Sequence, residues 1–261
     1  MILADAHCHL GSRQFDNDRE EVLSRMLENG VEKAILICCS EHDRLASMKL
    51  RDRYPGFRLA LSIHPQDLED DDLQRLTVLK QALIESHADM IGETGLDYYS
   101  HPHTKEAQIR FFEAQMEMAA ELGLPVDIHS RKASRDTLEI IKKYPVKGII
   151  HSYSGSGEMA QLYIKQGYCI AFGASVLFPN SRKPAQVIAQ MPLDRLLVET
   201  DAPYQSPVKG HVHEPADVVA IYEKIAEIRK IRLEELASRV EENFDSVFLT
   251  IQSKDKHTRI T

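Results

Sequence analysis

Eight short apolar segments alternate with eight amphipathic segments along almost the whole chain of 261 residues. The apolar segments are rich in Ile, Leu and Val and show little polar alternation, which is typical of parallel strands covered on both faces. Parallel strands need a crossover between them, usually a helix, and eight such units can close into a barrel. The predicted strands are Ile2–His7, Lys33–Cys39, Arg58–Ile63, Met90–Glu93, Val126–His129, Gly148–His151, Cys169–Phe172 and Leu196–Glu199.

The amphipathic segments have the spacing of helices that pack one face on a sheet. They lie at Asp18–Glu28, Arg44–Arg53, Leu73–Ser86, Thr104–Leu122, Ser134–Lys143, Gly157–Gln166, Pro184–Gln190 and Pro215–Arg229, and a ninth helix is predicted at Leu233–Phe248. We therefore predict an α/β protein with a (β/α)8 TIM-barrel fold and an extra C-terminal helix. The barrel would be a single domain over residues 1–251, followed by a polar tail at 252–261.

An open, doubly wound sheet is the alternative fold for this alternation. It would place a glycine-rich phosphate-binding loop after the first strand, and HCHLGSRQ is not such a loop. The (β/α)8 barrel is therefore the better interpretation of the alternating strands and helices.

Charge, cysteine content and the lack of long apolar runs narrow the class of protein and its cellular compartment. The formal net charge is −8, which argues against a general nucleic-acid coat protein. The four cysteines form no CxxC pair, and we expect reduced, structural thiols, with Cys38 and Cys39 inside a buried strand. The N-terminus does not resemble a signal peptide, and no apolar run approaches the ~18 residues of a membrane span. These features predict a cytoplasmic protein that does not contact the membrane.

Two histidines end the first strand, in the segment DAHCHL. Alternate strand residues face the same side, so His7 and His9 can bind one metal ion together. Asp5 shares their parity and is expected to accept a hydrogen bond from a ligating ring. A lone HxH segment is also compatible with two histidines that only cap a strand.

Four further residues with metal-binding side chains end other predicted strands. Each of them alone has an ordinary structural explanation, such as a satisfied half-buried histidine or a turn aspartate. Together they lie at the same end of four strands, where barrels of this class carry their catalytic rim. These residues are Glu93, His129, His151 and Asp201, and with His7 and His9 they predict a metal site.

The segments DAHCHL, GETGLDYY, LPVDIHSR, IHSYSG and VETDAPY resemble, in order and spacing, those of the TatD-like metal-dependent hydrolases, (β/α)8 barrels of the amidohydrolase group. The resemblance covers nearly the whole chain. It implies two divalent metal ions, Zn, Mg or Mn, with Glu93 as a bridge. In that arrangement His7, His9 and Asp201 hold one ion, and His129 and His151 hold the other.

The resemblance also implies an activity. It suggests a deoxyribonuclease that cleaves phosphodiester bonds by metal-activated water, in several members from the 3′ end of single-stranded DNA. Asp201 and Glu93 would be catalytic, and Asp201 would accept a proton from water. The residues expected to contact substrate are His64, Arg131, Tyr153 and Lys209.

Two departures from the family pattern put the substrate contacts in doubt. Gln66 stands where the family usually has histidine, and the segment from Lys209 to His213 replaces an Arg-Gly segment that leads to Asn-Glu-Pro. Two other functions therefore remain open. One is hydrolysis of a small ester, lactone or amide at a dinuclear metal site, and the other is a hydrolase subunit that works with a protein partner in a larger complex.

Overall fold

The computed structural model describes residues 1–68 and 72–249, which contain one eight-stranded sheet of parallel strands. The strands lie side by side in the order in which they occur in the sequence. They are β1 (Leu3–Cys8), β2 (Val31–Cys38), β3 (Phe57–Leu61), β4 (Met90–Asp97), β5 (Val126–Arg131), β6 (Gly148–Ile150), β7 (Cys169–Phe172) and β8 (Leu196–Val198).

The sheet comes close to closing on itself between its first and last strands. The backbone N–H of Asp201 donates to the carbonyl of His7 at 2.9 Å, and that of His9 donates to Ala202 at 2.7 Å. These bonds join the residues just after β8 to the end of β1. The predicted (β/α)8 barrel is thus confirmed, and its closure brings the two ends of the sequence pattern into one site.

Helices alternate with the strands. They are α1 (Arg19–Glu28), α2 (Glu41–Arg53), α3 (Gln74–Glu85), α4 (Lys105–Leu122), α5 (Ser134–Ile141), α6 (Gly157–Lys165), α7 (Arg182–Gln190), α8 (Val218–Arg229) and α9 (Leu233–Phe248). α9 is the extra C-terminal helix predicted from the sequence. α8 begins three residues later than predicted because Pro215–Asp217 form a separate 3₁₀ turn. No helix within the described ranges is long and apolar enough to cross a membrane.

β4 and β5 run further than the sequence predicts, and they pair along this added length. Gly95 lies opposite His129 and Asp97 lies opposite Arg131. Gly95 permits this close approach, since its φ is +133° and a Cβ there would lie 2.1 Å from the carbonyl oxygen of His129. The extension carries Asp97 and Arg131 past the predicted metal ligands to the mouth of the barrel.

The hydrophobic core is continuous through the barrel and its outer layer of helices. Its largest fully buried side chains include Tyr163, Tyr168, Phe57, Phe112 and Phe172. The barrel frame is therefore well packed, and the polar residues inside it need specific partners. The predicted tail at 252–261 lies outside the described residues.

Candidate metal centre

The six predicted ligands converge at the carboxyl ends of the strands. Five of them line a cleft of about 680 Å³, and His7 lies fully buried beneath it. His9, Glu93, His151 and Asp201 are buried, and His129 is half-buried. Residues separated by almost 200 positions in the sequence thus lie within contact distance of one another.

One group of ligand atoms comes from the ends of β1 and β8. The Nε2 atoms of His7 and His9 lie 3.3 Å apart. Oδ1 of Asp201 lies 3.5 Å from the first and 3.4 Å from the second. These three side chains form a compact group that could hold one ion.

Glu93, in β4, lies between this group and the histidines of β5 and β6. Its Oε2 lies 3.5 Å from His7 Nε2. Its Oε1 lies 2.6 Å from His129 Nδ1 and 3.4 Å from His151 Nε2. The two oxygens therefore face different histidines, as a bridging carboxylate requires.

A buried carboxylate stands behind three of the histidines. Asp127 lies 3.3 Å from His7 Nδ1, and Asp97 lies 3.3 Å from His129 Nε2. Behind His151, Oε1 of Glu199 lies 3.0 Å from Nδ1. The hydrogen bonds of Asp127 and Asp97 fix which nitrogen of His7 and of His129 carries the proton and leave the other free as a ligand, whereas Glu199 lies close to His151 without forming a hydrogen bond to it.

Asp5 does not have the role that its parity suggested. Its carboxylate accepts hydrogen bonds from the hydroxyl of Thr200 at 2.6 Å and from the backbone N–H of Thr200 at 2.9 Å. It is fully buried, and burial raises its pKa to about 7. Asp5 therefore ties β1 to the residues after β8, and Asp127, from β5, is the partner of the His7 ring.

The donor atoms of the cluster fit a divalent cation. When Asp97 accepts the proton on His129 Nε2, Nδ1 faces Glu93 as a lone pair unless a second proton or a cation lies between them. Burial alone would lower the pKa of His129, but its contacts with Asp97 and Glu93 outweigh that effect and raise it to about 9.

The raised pKa of His129 shows that its surroundings favour positive charge, and the pKa values of Glu93, Asp201 and His7 show the same preference. Burial opposes ionisation of Glu93 and Asp201, yet the surrounding histidines hold the pKa of each carboxyl below its usual value. The pKa of His7 is raised well above its usual value in spite of its burial, through Asp127 and Glu93. The cluster therefore favours protonated histidines, and a divalent ion supplies the same charge at the same atoms.

His64 approaches Glu93 closely enough to be counted with His129 as a third group of metal-binding side chains. Its Nε2 lies 3.5 Å from Oε1 of Glu93. Its Nδ1, however, accepts a hydrogen bond from the backbone N–H of Gln66 at 3.2 Å. In the neutral ring the proton is then on Nε2, which makes that atom a hydrogen-bond donor into the cleft and not a ligand. The geometry is consistent with the predicted substrate contact.

The model of the TatD related DNase family matches residues 4–249 of this chain. The chain is 34% identical to the uncharacterized metal-dependent hydrolase YabD of Bacillus subtilis, over 95% of this chain and 99% of that protein. It is 32% identical to human deoxyribonuclease TATDN3, over 94% of both chains. The crystal structure of YjjV, a TatD homolog from Escherichia coli, superposes with a TM-score of 0.87 at 29% identity and covers 94% of this chain and 97% of that one.

The chain belongs to the TatD family. It is a metal-dependent hydrolase with clustered His, Glu and Asp side chains at the mouth of the barrel. The number and the chemical identity of its ions stay predictions, and so does the assignment of each ligand to one ion. His151 illustrates the point. Its ligand atom lies close to those of His7 and Glu93. Its ring centroid, however, lies 6.2 Å from that of His129, with which it was predicted to share an ion.

The residues predicted to contact substrate lie in different places in this TatD-family chain. Arg131 and His64 line the cleft. Tyr153 does not, because its ring packs in the core against Tyr163 and Phe172 and its hydroxyl donates to the carbonyl of Ser156 at 2.6 Å. Lys209 is exposed and is not among the residues that line the cleft. Among the described residues, the structure thus brings only part of the predicted substrate set to the metal centre.

Three residues that the sequence did not predict complete the site. Asp127 and Asp97 orient histidines, and their strand parity with His129 and Glu93 was the signal that could have found them. Gln205, in the loop after β8, donates from Nε2 to Oδ2 of Asp201 at 2.5 Å, and no pattern in the sequence indicates it. Cys39, expected inside a buried strand, instead lies just after β2, is exposed and lines the cleft.

Proposed function

We propose that this chain is a divalent-metal-dependent deoxyribonuclease, in its finer form a 3′–5′ exonuclease on single-stranded DNA. The observation that carries the proposal is the Glu93 carboxylate, whose two oxygens face separate groups of histidines. Two ions shared by such a carboxylate suit the hydrolysis of a phosphodiester. The family and the name of the human relative support DNA as the substrate.

The metal ions, when bound, would polarise the phosphate and lower the pKa of a water molecule. His7, His9 and Asp201 would hold one ion, with Glu93 as the bridge to the other. Zn, Mg and Mn are all compatible with histidine and carboxylate ligands. With the ions bound, the buried carboxylates behind the histidines would hold the proton on the far ring nitrogen and aim the near nitrogen at the ion.

Three residues of the chain, Asp201, Gln205 and His64, would then handle protons and orientation. Asp201 presents Oδ1 to His7 and His9, and Gln205 holds its Oδ2 at the open side of the cleft. In the proposed reaction, Oδ2 would accept a proton from the attacking water. The Nε2–H of His64 would donate a hydrogen bond to a phosphate oxygen or to the leaving oxygen.

Single-stranded DNA labelled at either end tests the proposal. The wild-type protein should cleave it with Mg²⁺, Mn²⁺ or Zn²⁺, while Asp201→Asn should lose the activity. Asp194→Asn is the matched control, since Asp194 is exposed at the opposite end of β8. A 5′ label should yield progressively shorter strands, and a 3′ label should yield a mononucleotide at once. The proposal fails if the wild type cleaves no more DNA than Asp201→Asn.

A second candidate is hydrolysis of a small ester, lactone or amide. The observation that favours it is the sparse positive charge of the cleft, where Arg131 is the one Lys or Arg side chain among the described lining residues. A panel of small esters, lactones and amides, assayed with the same metals, decides between the two. A kcat/KM for a panel member that exceeds that for DNA would favour the small-molecule reaction.

A further inference from the structure

The charge of the cleft limits how much nucleic acid it can hold. Asp67, Glu93 and Asp201 line it, and Arg131 is the single cationic Lys or Arg side chain among its described lining residues. Each phosphate that a protein neutralises needs a cation nearby. Apart from the phosphate at the metal ions, the described lining of the cleft can therefore neutralise one further phosphate.

Arg131 is held in place for such a contact. Its backbone carbonyl accepts from the N–H of Tyr98 at 3.0 Å, and its guanidinium donates to the hydroxyl of Ser100 at 3.3 Å. In the described part of the chain, no carboxylate lies within ion-pair distance of this guanidinium, whereas Lys105 nearby is paired with Asp136 at 2.9 Å. The remaining N–H groups of Arg131 are thus available to an anion.

An exposed aromatic ring completes the arrangement. The guanidinium carbon of Arg131 lies 4.2 Å from the centroid of the Tyr99 ring and covers one face of that ring. Tyr99 is 62% exposed and lies beside the cleft, outside the residues that line it. A tyrosine ring with an exposed surface is a stacking platform that accepts any base. Phosphate-binding and base-stacking groups therefore adjoin each other beside His129.

We propose that Arg131 and Tyr99 form a subsite for one nucleotide, so that the cleft takes only the end of a single strand. This inference rests on the proposed function. The scissile phosphate lies at the metal centre, the neighbouring phosphate lies on Arg131, and the base of that nucleotide stacks on Tyr99. The shortest good substrate is then a di- or trinucleotide, and longer strands gain nothing.

A length series of single-stranded oligonucleotides tests this placement. We expect KM to fall up to about three nucleotides and to stay level beyond that length. The dependence of log KM on log salt concentration should correspond to about one or two phosphate contacts, a slope of magnitude ~0.7 to 1.4. A KM that keeps falling up to ten nucleotides, or a much steeper slope, would overturn the inference.

Substitutions test the two side chains separately. Arg131→Gln should raise KM for a trinucleotide by about tenfold or more, and Tyr99→Leu should raise it by about tenfold while Tyr99→Phe stays within about twofold. Lys132→Gln is the matched control for charge, because Lys132 is exposed next to Arg131 and does not line the cleft. Equal effects of Tyr99→Leu and Tyr99→Phe would contradict stacking.

Binding separates this inference from the proposed function. A trinucleotide that carries 2-aminopurine should be quenched on binding to the Asp201→Asn protein, and the chain has no tryptophan to interfere. Quenching that Tyr99→Leu abolishes and Tyr99→Phe preserves supports the subsite, whether or not DNA is hydrolysed. If DNA is hydrolysed but quenching is independent of Tyr99, the subsite fails and the nuclease function stands.

Discussion

The two sides of the metal centre differ in how firmly the fold holds them. The buried half consists of the predicted ligands at the ends of β1 and β8 and the carboxylate behind His7, namely His7, His9, Asp201 and Asp127. His7 and Asp127 are fully buried, and the other two are nearly so. The open half consists of His129 and Gln66 with the exposed Arg131 and Tyr99, and Asp97 lies buried beneath it. Its predicted metal ligand, His129, is half-buried and lines the cleft.

This contrast teaches how one cluster can serve both stability and substrate binding. In the buried half, charged groups have little access to water and depend on one another or on an ion. In the open half, Gln66 donates to Asp97 at 2.6 Å, and Asp97 in turn orients His129. That chain of contacts reaches the solvent, so ligands and substrate can exchange there.

The largest expected effect is a difference in protein stability between substitutions in the buried half and in the open half. His7→Ala and His129→Ala should each lower kcat/KM for DNA by about a thousandfold. His7→Ala should also lower the free energy of unfolding by about 3–5 kcal/mol, because it leaves buried carboxylates without a partner. His129→Ala should cost clearly less, since water can replace part of its contacts. Urea denaturation of the two variants measures this, and equal losses would remove the distinction.

Gly95 tests the close pairing of β4 and β5 under the open half. Gly95→Ala should destabilise the protein by more than about 3 kcal/mol, because a Cβ would meet the carbonyl of His129 in a backbone conformation that already disfavours side chains. Gly210→Ala is the matched control, since φ is +82° there with no atom near the Cβ position, and it should cost about 1 kcal/mol. Thermal unfolding of both variants measures the two losses of stability. Similar losses would show that the close approach of Gly95 to the carbonyl of His129 is unimportant.

The pH dependence of stability sharpens the comparison for the metal-free protein. The folded pKa of His129, about 9, lies above its ordinary value of 6.5. Protonated His129 therefore stabilises the folded protein fully below pH 6.5, and this stabilisation is lost as the pH rises through 9. The loss amounts to about 3 kcal/mol. Unfolding in EDTA should follow this profile, and saturating Zn²⁺ should flatten it because the ion replaces the proton. An identical profile for His129→Gln would assign the effect to another group.

The smallest predicted effect concerns the carboxylates behind the histidines. Asp127→Asn and Asp97→Asn should each weaken metal binding by about 10- to 100-fold. If the protein binds two ions, the first substitution should affect the ion of the buried half and the second that of the open half. Calorimetric titration of the metal-free variants measures both affinities. Loss of the same ion in both variants would contradict the assignment.

Much of the fold and of the ligand set could be predicted from local pattern. The strand and helix segments appear in the sequence because apolar runs and helical spacing are local properties. The convergence of His7, Glu93 and Asp201 follows from closure of eight units into a barrel. Tyr153 was beyond such reasoning, since IHSYSG resembles a rim segment, whereas its backbone N–H bonds to Ala171 and its ring turns into the core.

The sequence by itself determined the barrel, the end at which the polar residues gather and the chemical type of the site, because strand order and side-chain parity fix these. Only the tertiary structure decided which carboxylate serves which histidine. Asp127 approaches His7 across 120 positions, while Asp5, two residues away, bonds to Thr200 instead. Such pairings depend on the register between neighbouring strands and on closure of the barrel, which no local pattern encodes.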